Sequence, residues 1–172
     1  MSLLDQFHVA EIELTYRSKV KASDRPKVTQ SIDAYEILLN NWDQNKIGFV
    51  EQAKVLILNR SNHVLGICDI STGSTNATLV EPKLVFITAI KKNASCIILA
   101  HNHPSGNLTP SKQDEALTQR LEAAGKLLEI RMLDHLIVTE DGYYSFMDQE
   151  TYSAHYIKQH YPERNIPSLK NQ

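Results

Sequence analysis

The chain has 172 residues, 42% of them hydrophobic and 22% charged, which suits one packed domain with modest extensions and excludes bulk disorder. A formal net charge of −2 excludes attachment to nucleic acid through global positive charge, while a local basic patch stays open. No charged-then-apolar leader opens the chain, and no apolar run approaches the ~18 residues of a membrane span, so the expectation is a cytoplasmic protein without a membrane partner. Cys68 and Cys96 form no C-x-x-C pair and lie in apolar, strand-like stretches, which reads as buried free thiols in a reducing compartment.

In chain order, the alternating piece "HVAEIELTYRSKV" suggests a strand through Val9, Ile12, Leu14 and Tyr16, and "KASDRPKVT" breaks it with charge and proline. Residues 1–28 therefore read as an N-terminal extension. Thr29 or Ser31 is placed to cap a short helix whose apolar face is Ile32, Tyr35, Leu38, Leu39 and Trp42. "AKVLILN" (53–59) and "HVLGICDI" (63–70) are β-rich runs around the polar turn "RSN", a hairpin signal, followed by a loop at 71–76.

"EPKLVFITAIKKN" reads as a helix with Pro82 in its first turn, and Lys91 and Lys92 at its end complement the helix dipole. "SCIILAH" has the continuous apolar character of a buried central strand. The loop "NHPSGNLTP" leads into "SKQDEALTQRLEAAG", a helix with Leu117, Leu121 and Ala124 on one face and Gly125 as its stop. "IRMLDHLIVT" and "YYSFM" give two strands around the "EDG" turn, with Tyr143, Tyr144 and Phe146 packing in a core or interface. Residues 149–172 form a polar tail, partly helical or disordered. Hairpins at both ends of an alternating pattern predict an α/β fold, a mixed sheet flanked by helices.

Chemistry concentrates in "LAHNHPSG", residues 99–106. His101 and His103 are one residue apart, so on an extended backbone both side chains point the same way. Ten residues separate His103 from Asp114, in the first turn of the following helix. Two neutral imidazoles and a carboxylate suit one Zn2+ ion, and three protein ligands leave a fourth position open for water. Such an ion lowers the water pKa toward ~7 and polarises a carbonyl, the requirements for amide hydrolysis. Alternatives remain at this point. Either histidine alone is an ordinary polar residue at a strand end, and "SKQD" also matches a capping box in which Ser111 and Asp114 cap the helix reciprocally. A hydrolase also needs a proton carrier, and Glu51, Glu81, Glu115 and Glu122 are equal candidates by composition.

"HNHPSG" followed by "SKQD" resembles the JAMM motif of the JAB/MPN metalloprotease superfamily. "EQAKVLILN", "ILAHNHPSGNLTPSKQD" and "LLEIRMLDHLIV" together resemble its bacterial RadC-like branch, over roughly residues 29–148. The resemblance implies a cytidine-deaminase-like JAB/MPN fold with His101, His103 and Asp114 as zinc ligands. It further implies that Glu51 is the general acid/base and that Ser111 steadies the tetrahedral oxyanion. Longer RadC relatives carry an N-terminal helical region resembling a helix-hairpin-helix module. About fifty residues precede Glu51 here, so the DNA-repair role attached to the family gains no support from this sequence, and the form resembles stand-alone relatives of mobile elements.

The leading expectation is a zinc-dependent hydrolase of a peptide or isopeptide-like amide, with a protein or peptide substrate and possible homo-oligomerisation. The alternatives are a nucleic-acid-associated protein and a non-catalytic metal-binding interaction domain. Asp134 and His135 in "LDHLIV" read first as packing beside the site and second as support for a ligand, while His63, His155 and His160 read as solvent-facing.

Overall fold

A computed structural model describes residues 19–73, 80–164 and 166, so the strand expected at residues 9–16 lies outside the described residues. Helix α1, Ser31–Asn40, buries Ile32, Tyr35, Leu38 and Leu39, and Trp42 is buried just beyond it. Its start differs from expectation. Gln30, rather than Thr29 or Ser31, is the N-cap, because Asp33 Oδ2 accepts from Thr29 N (2.7 Å), Thr29 Oγ1 (2.7 Å) and Gln30 N (3.1 Å). Three donors on one carboxylate outweigh a single cap from a hydroxyl.

Strands β1 (Gln52–Leu58) and β2 (Val64–Thr72) form the expected hairpin. The strand continues into the expected loop, because Ser71 and Thr72 still pair with Ala53 and Gln52; residues 74–79 lie outside the described residues. Helix α2, Pro82–Lys91, begins on Pro82, whose missing N–H would be unsatisfied there in any case. Strand β3, Cys96–Asn102, leads through the "HPSG" loop to α3, Lys112–Leu128.

Gly125 does not stop α3, which runs to Leu128 and ends with Glu129 in the left-handed region at φ 56°. The glycine serves a close approach instead: a Cβ there would lie 2.4 Å from Ile130 O, and Ile130 N donates to Gly125 O at 2.9 Å.

Strands β4 (Arg131–Thr139) and β5 (Gly142–Ser145) follow, and β5 stops before Phe146. Residues expected as tail hold β6 (Glu150–Ser153), paired with β5, and α4 (Ala154–His160), whose Ile157 is buried. A four-residue polar edge strand carries no apolar alternation, so nothing in the pattern announces it.

The sheet order is β2-β1-β3-β4-β5-β6, mixed as expected, with only β3 and β4 parallel. Every position of β1 and β3 is buried, as both faces are covered by helices. Leu56, Leu58, Ile98, Ala100, Leu136 and Val138 pack with α1, while Val55, Ile57, Ile97 and Leu99 pack toward α2 and α3. Full burial of each such leucine or isoleucine contributes on the order of 2 kcal/mol. Because β1 runs antiparallel to β3 and α3 crosses over to β4, three points meet at one end of the central strands. They are the start of β1, the end of β3 and the first turn of α3.

Candidate metal centre

His101 is the penultimate residue of β3, opposite Ala53 of β1 and Ile137 of β4, and only 2% of it is exposed. His103 lies one residue past the strand and Asp114 three residues past the α3 N-cap, both half-buried. The site is therefore anchored at a buried imidazole and opens toward its other two members. His101 Nε2 stands 3.0 Å from His103 Nε2 and 3.2 Å from Asp114 Oδ1. One ligand atom from each of the three residues lies within 4.8 Å of the others.

The capping-box reading of Asp114 is met, and it stays compatible with a metal site because one oxygen is left over. Oδ2 accepts from Ser111 N (2.8 Å) and Ser111 Oγ (2.7 Å), while Ser111 Oγ accepts from Asp114 N (3.2 Å), a complete capping box. Oδ1 is left facing His101, and His103 Nε2 lies 3.9 Å from Oδ2. The helix N-terminus also favours a negative charge there. Burial works to raise the Asp114 carboxyl, but its interaction with His101 and the Ser111 hydrogen bonds hold it well below the usual carboxylate range. A metal cation at the same point would favour the carboxylate in the same way.

Hydrogen bonding on the far side of the rings defines what they offer. His103 Nδ1 lies 2.6 Å from Asn107 O, and a carbonyl only accepts, so Nδ1 carries the proton and Nε2 the lone pair. His101 Nδ1 is taken up by His135 Nε2 at 2.9 Å, leaving His101 Nε2 toward the cluster. In the tautomer that leaves Nε2 unprotonated on both rings, three acceptor atoms converge with no donor of their own between them. That is the arrangement a cation satisfies. A tetrahedral ion held at about 2.0–2.1 Å separates its ligand atoms by about 3.3 Å. The 3.0 and 3.2 Å separations are close to that figure, while the third pair, His103 and Asp114, stands wider at 3.9 Å.

The RadC-like JAB domain matches residues 28–152. The chain belongs to the RadC-like JAB domain family. It is 40% identical over 144 residues to a UPF0758 protein of Flavobacterium johnsoniae, covering 82% of this chain and 61% of that protein. It is likewise 40% identical over 140 residues to a UPF0758 protein of Clostridium botulinum, covering 81% of this chain and 60% of the relative. The chain thus spans about three fifths of the length of these curated relatives. The six-strand mixed sheet with its helices is consistent with the JAB/MPN fold. Among the described residues, no helix is long and apolar enough to cross a membrane.

Glu51 of this RadC-like domain immediately precedes β1, half-buried, with its carbonyl accepting from Gly73 N at 2.8 Å. It is two residues from Ala53, the partner of His101, so pairing brings it to the same end, although it is not a member of the three-residue ligand cluster. Its backbone is held by a residue that sequence reasoning passed over. Asn102, between the two histidines and fully buried, accepts from Gln52 N (2.7 Å) and donates to Ile47 O (2.6 Å) and Val50 O (2.9 Å). A polar residue inside a buried strand end was the available signal; its partners are some fifty residues away in sequence.

His135 and Asp134, read together in the sequence, part company in the structure. His135 is fully buried, bonded to His101 and stacked on Phe146 at 4.6 Å and 8°. Burial, then the neighbouring His101 charge, keeps its imidazole well below the usual histidine range. Asp134 instead accepts from Ser145 Oγ (2.7 Å) and Met147 N (3.1 Å). Burial raises its carboxyl to about 6 despite those bonds. Thr118, which no motif singled out, lies 2.7 Å from His135 Nδ1. Of the remaining histidines, His155 and His160 are exposed, whereas His63 is half-buried in a bridge with Lys27. Cys96 is buried and Cys68 half-buried, both free thiols.

Proposed function

We propose that this domain is a zinc-dependent hydrolase of amide bonds in a peptide or isopeptide substrate. The supporting observation is the convergence of His101 Nε2, His103 Nε2 and Asp114 Oδ1, two imidazole nitrogens and a carboxylate oxygen, at a half-open end of the central strands. Two imidazoles and a carboxylate are the donor set of catalytic zinc sites, in which a fourth position stays open. Zinc bound there supplies a Lewis acid for the scissile carbonyl and makes water acidic enough to ionise near neutral pH.

In this reading, the Glu51 carboxylate takes the proton of the attacking water and returns it to the leaving amine. Asn102 keeps the backbone on both sides of Glu51 in place while it does so. The Ser111 hydroxyl turns from Asp114 Oδ2 to donate to the oxyanion, and the Ser111 backbone N–H continues to hold the carboxylate.

Metal content and turnover test this reading together. The purified protein is expected to bind one zinc per chain, and His101→Ala to lose it. A chelator should then lower the unfolding free energy by about 2.7 kcal/mol relative to protein with zinc at a hundred times its dissociation constant. Glu51→Gln should retain zinc while cleavage of a peptide mixture falls on the order of 100-fold or more. Absence of zinc binding, or undiminished cleavage by Glu51→Gln, refutes the assignment.

A further inference from the structure

His103 and His101 present the same nitrogen to the cluster, but they are held in different ways. His103 is oriented directly, by the carbonyl of Asn107. His101 faces another imidazole, which can donate or accept, so its 2.9 Å contact with His135 does not by itself say which ring carries the shared proton. The next two links remove the ambiguity. Thr118 Oγ1 donates to Asp114 O at 2.8 Å, and a carbonyl has no proton to give back. The hydroxyl has one proton, so toward His135 Nδ1, 2.7 Å away, it can only accept.

His135 therefore carries its proton on Nδ1 and a lone pair on Nε2. His101 must then donate from Nδ1, which leaves its Nε2 lone pair for the cluster. We propose that Thr118 and His135 relay a one-way chain of hydrogen bonds, donated from His101 Nδ1 and ending on the backbone carbonyl of Asp114, which sets the tautomer and ring orientation of His101. The consequence for metal binding rests on the metal reading above; the direction of the chain does not.

The chain closes a loop between two of the three candidate ligands, because it starts on the ring of His101 and ends on the peptide of Asp114. One turn of α3 separates Asp114 from Thr118, so the same helix that delivers the carboxylate also orients the imidazole. Phe146, stacked on His135, and the buried position of that ring keep water from substituting for any link. His135 and Thr118 are positioning residues: neither offers an atom to the cluster.

Nitrogen-15 spectra of histidine-labelled protein, recorded without metal, read the tautomers directly. Wild type is expected to show His135 protonated on Nδ1 and His101 protonated on Nδ1; His135 protonated on Nε2, or on both nitrogens, overturns the chain. Zinc competition against a chelator gives the second measurement. Thr118→Val keeps the shape and removes the hydroxyl, and it should weaken zinc binding about 10- to 100-fold, whereas Thr118→Ser should stay within about threefold of wild type. A Thr118→Val variant with a native amide spectrum that binds zinc as tightly as wild type overturns the positioning role. If wild type binds no zinc at all, the metal reading fails, and the histidine spectra still decide the chain.

Discussion

Replacing Asn102 by aspartate exchanges one NH2 for an oxygen at a position with no exposure to solvent. The carboxylate keeps the shape and can still accept from Gln52 N. It can no longer donate to Ile47 O or Val50 O, which now face an oxygen. Leaving a buried acceptor without its donor costs about 1–3 kcal/mol, so two carbonyls cost about 2–6 kcal/mol before any repulsion from the new charge. Against a total stability of about 5–15 kcal/mol, this is a large fraction. For a chain of this size each kcal/mol moves the midpoint by about 2–4 °C, so a loss near 4 kcal/mol lowers Tm by about 12 °C. Urea denaturation at pH 7, followed by circular dichroism and by the fluorescence of Trp42, the single tryptophan, measures the difference. Asn93→Asp, exposed just past the C-terminus of α2 at φ 49°, is the control and should cost no more than about 1 kcal/mol. An Asn102→Asp variant within about 1 kcal/mol of wild type refutes the claim that this side chain clamps the segment carrying Glu51.

Asp134 should make stability depend on pH. Its folded pKa, about 6, lies above the ordinary carboxylate value of 3.8, so the native state binds the proton more tightly. Stability from this group is therefore fully present below about pH 4 and is lost as pH rises through about 6, a change on the order of 3 kcal/mol. Asp134→Asn should flatten that part of the profile; urea curves at pH 4.5 and 7 with an unchanged difference between the two proteins would refute it. Gly125→Ala tests the close approach of Ile130. Helix propensity alone favours alanine by about 1 kcal/mol. A Cβ 2.4 Å from Ile130 O must displace backbone, so the net effect is a loss of about 1–2 kcal/mol, and a urea midpoint at or above wild type would sink the argument.

The order of strands and helices through the central block was legible because burial imposes a period. Burial of both faces in β1 and β3 appears as the continuous apolar stretches 55–58 and 96–100, and α1 repeats its apolar residues near every third or fourth position. Residue spacing also placed His101, His103 and Asp114 close in chain, and the capping box of Ser111 and Asp114 is a local pattern that needs no tertiary contact. What failed locally has a local reason. Gly125 looks like a helix stop, but its missing Cβ answers to the backbone of Ile130. β6 has too few apolar residues to declare itself and forms because β5 offers it a partner.

Long-range polar pairing was decided by the tertiary structure alone. Asn102 reaches Ile47, Val50 and Gln52, and His135 reaches His101 and Thr118, all through hydrogen bonds between different elements. Hydrophobic burial is non-directional, so it leaves a periodic trace in composition that any single chain displays. A hydrogen bond is directional and needs a donor and an acceptor brought together from distant positions, so neither partner marks the other in sequence. The type and spacing of the candidate ligands could therefore be read from the residues themselves, while the nitrogen that each histidine presents is decided by the folded chain around it.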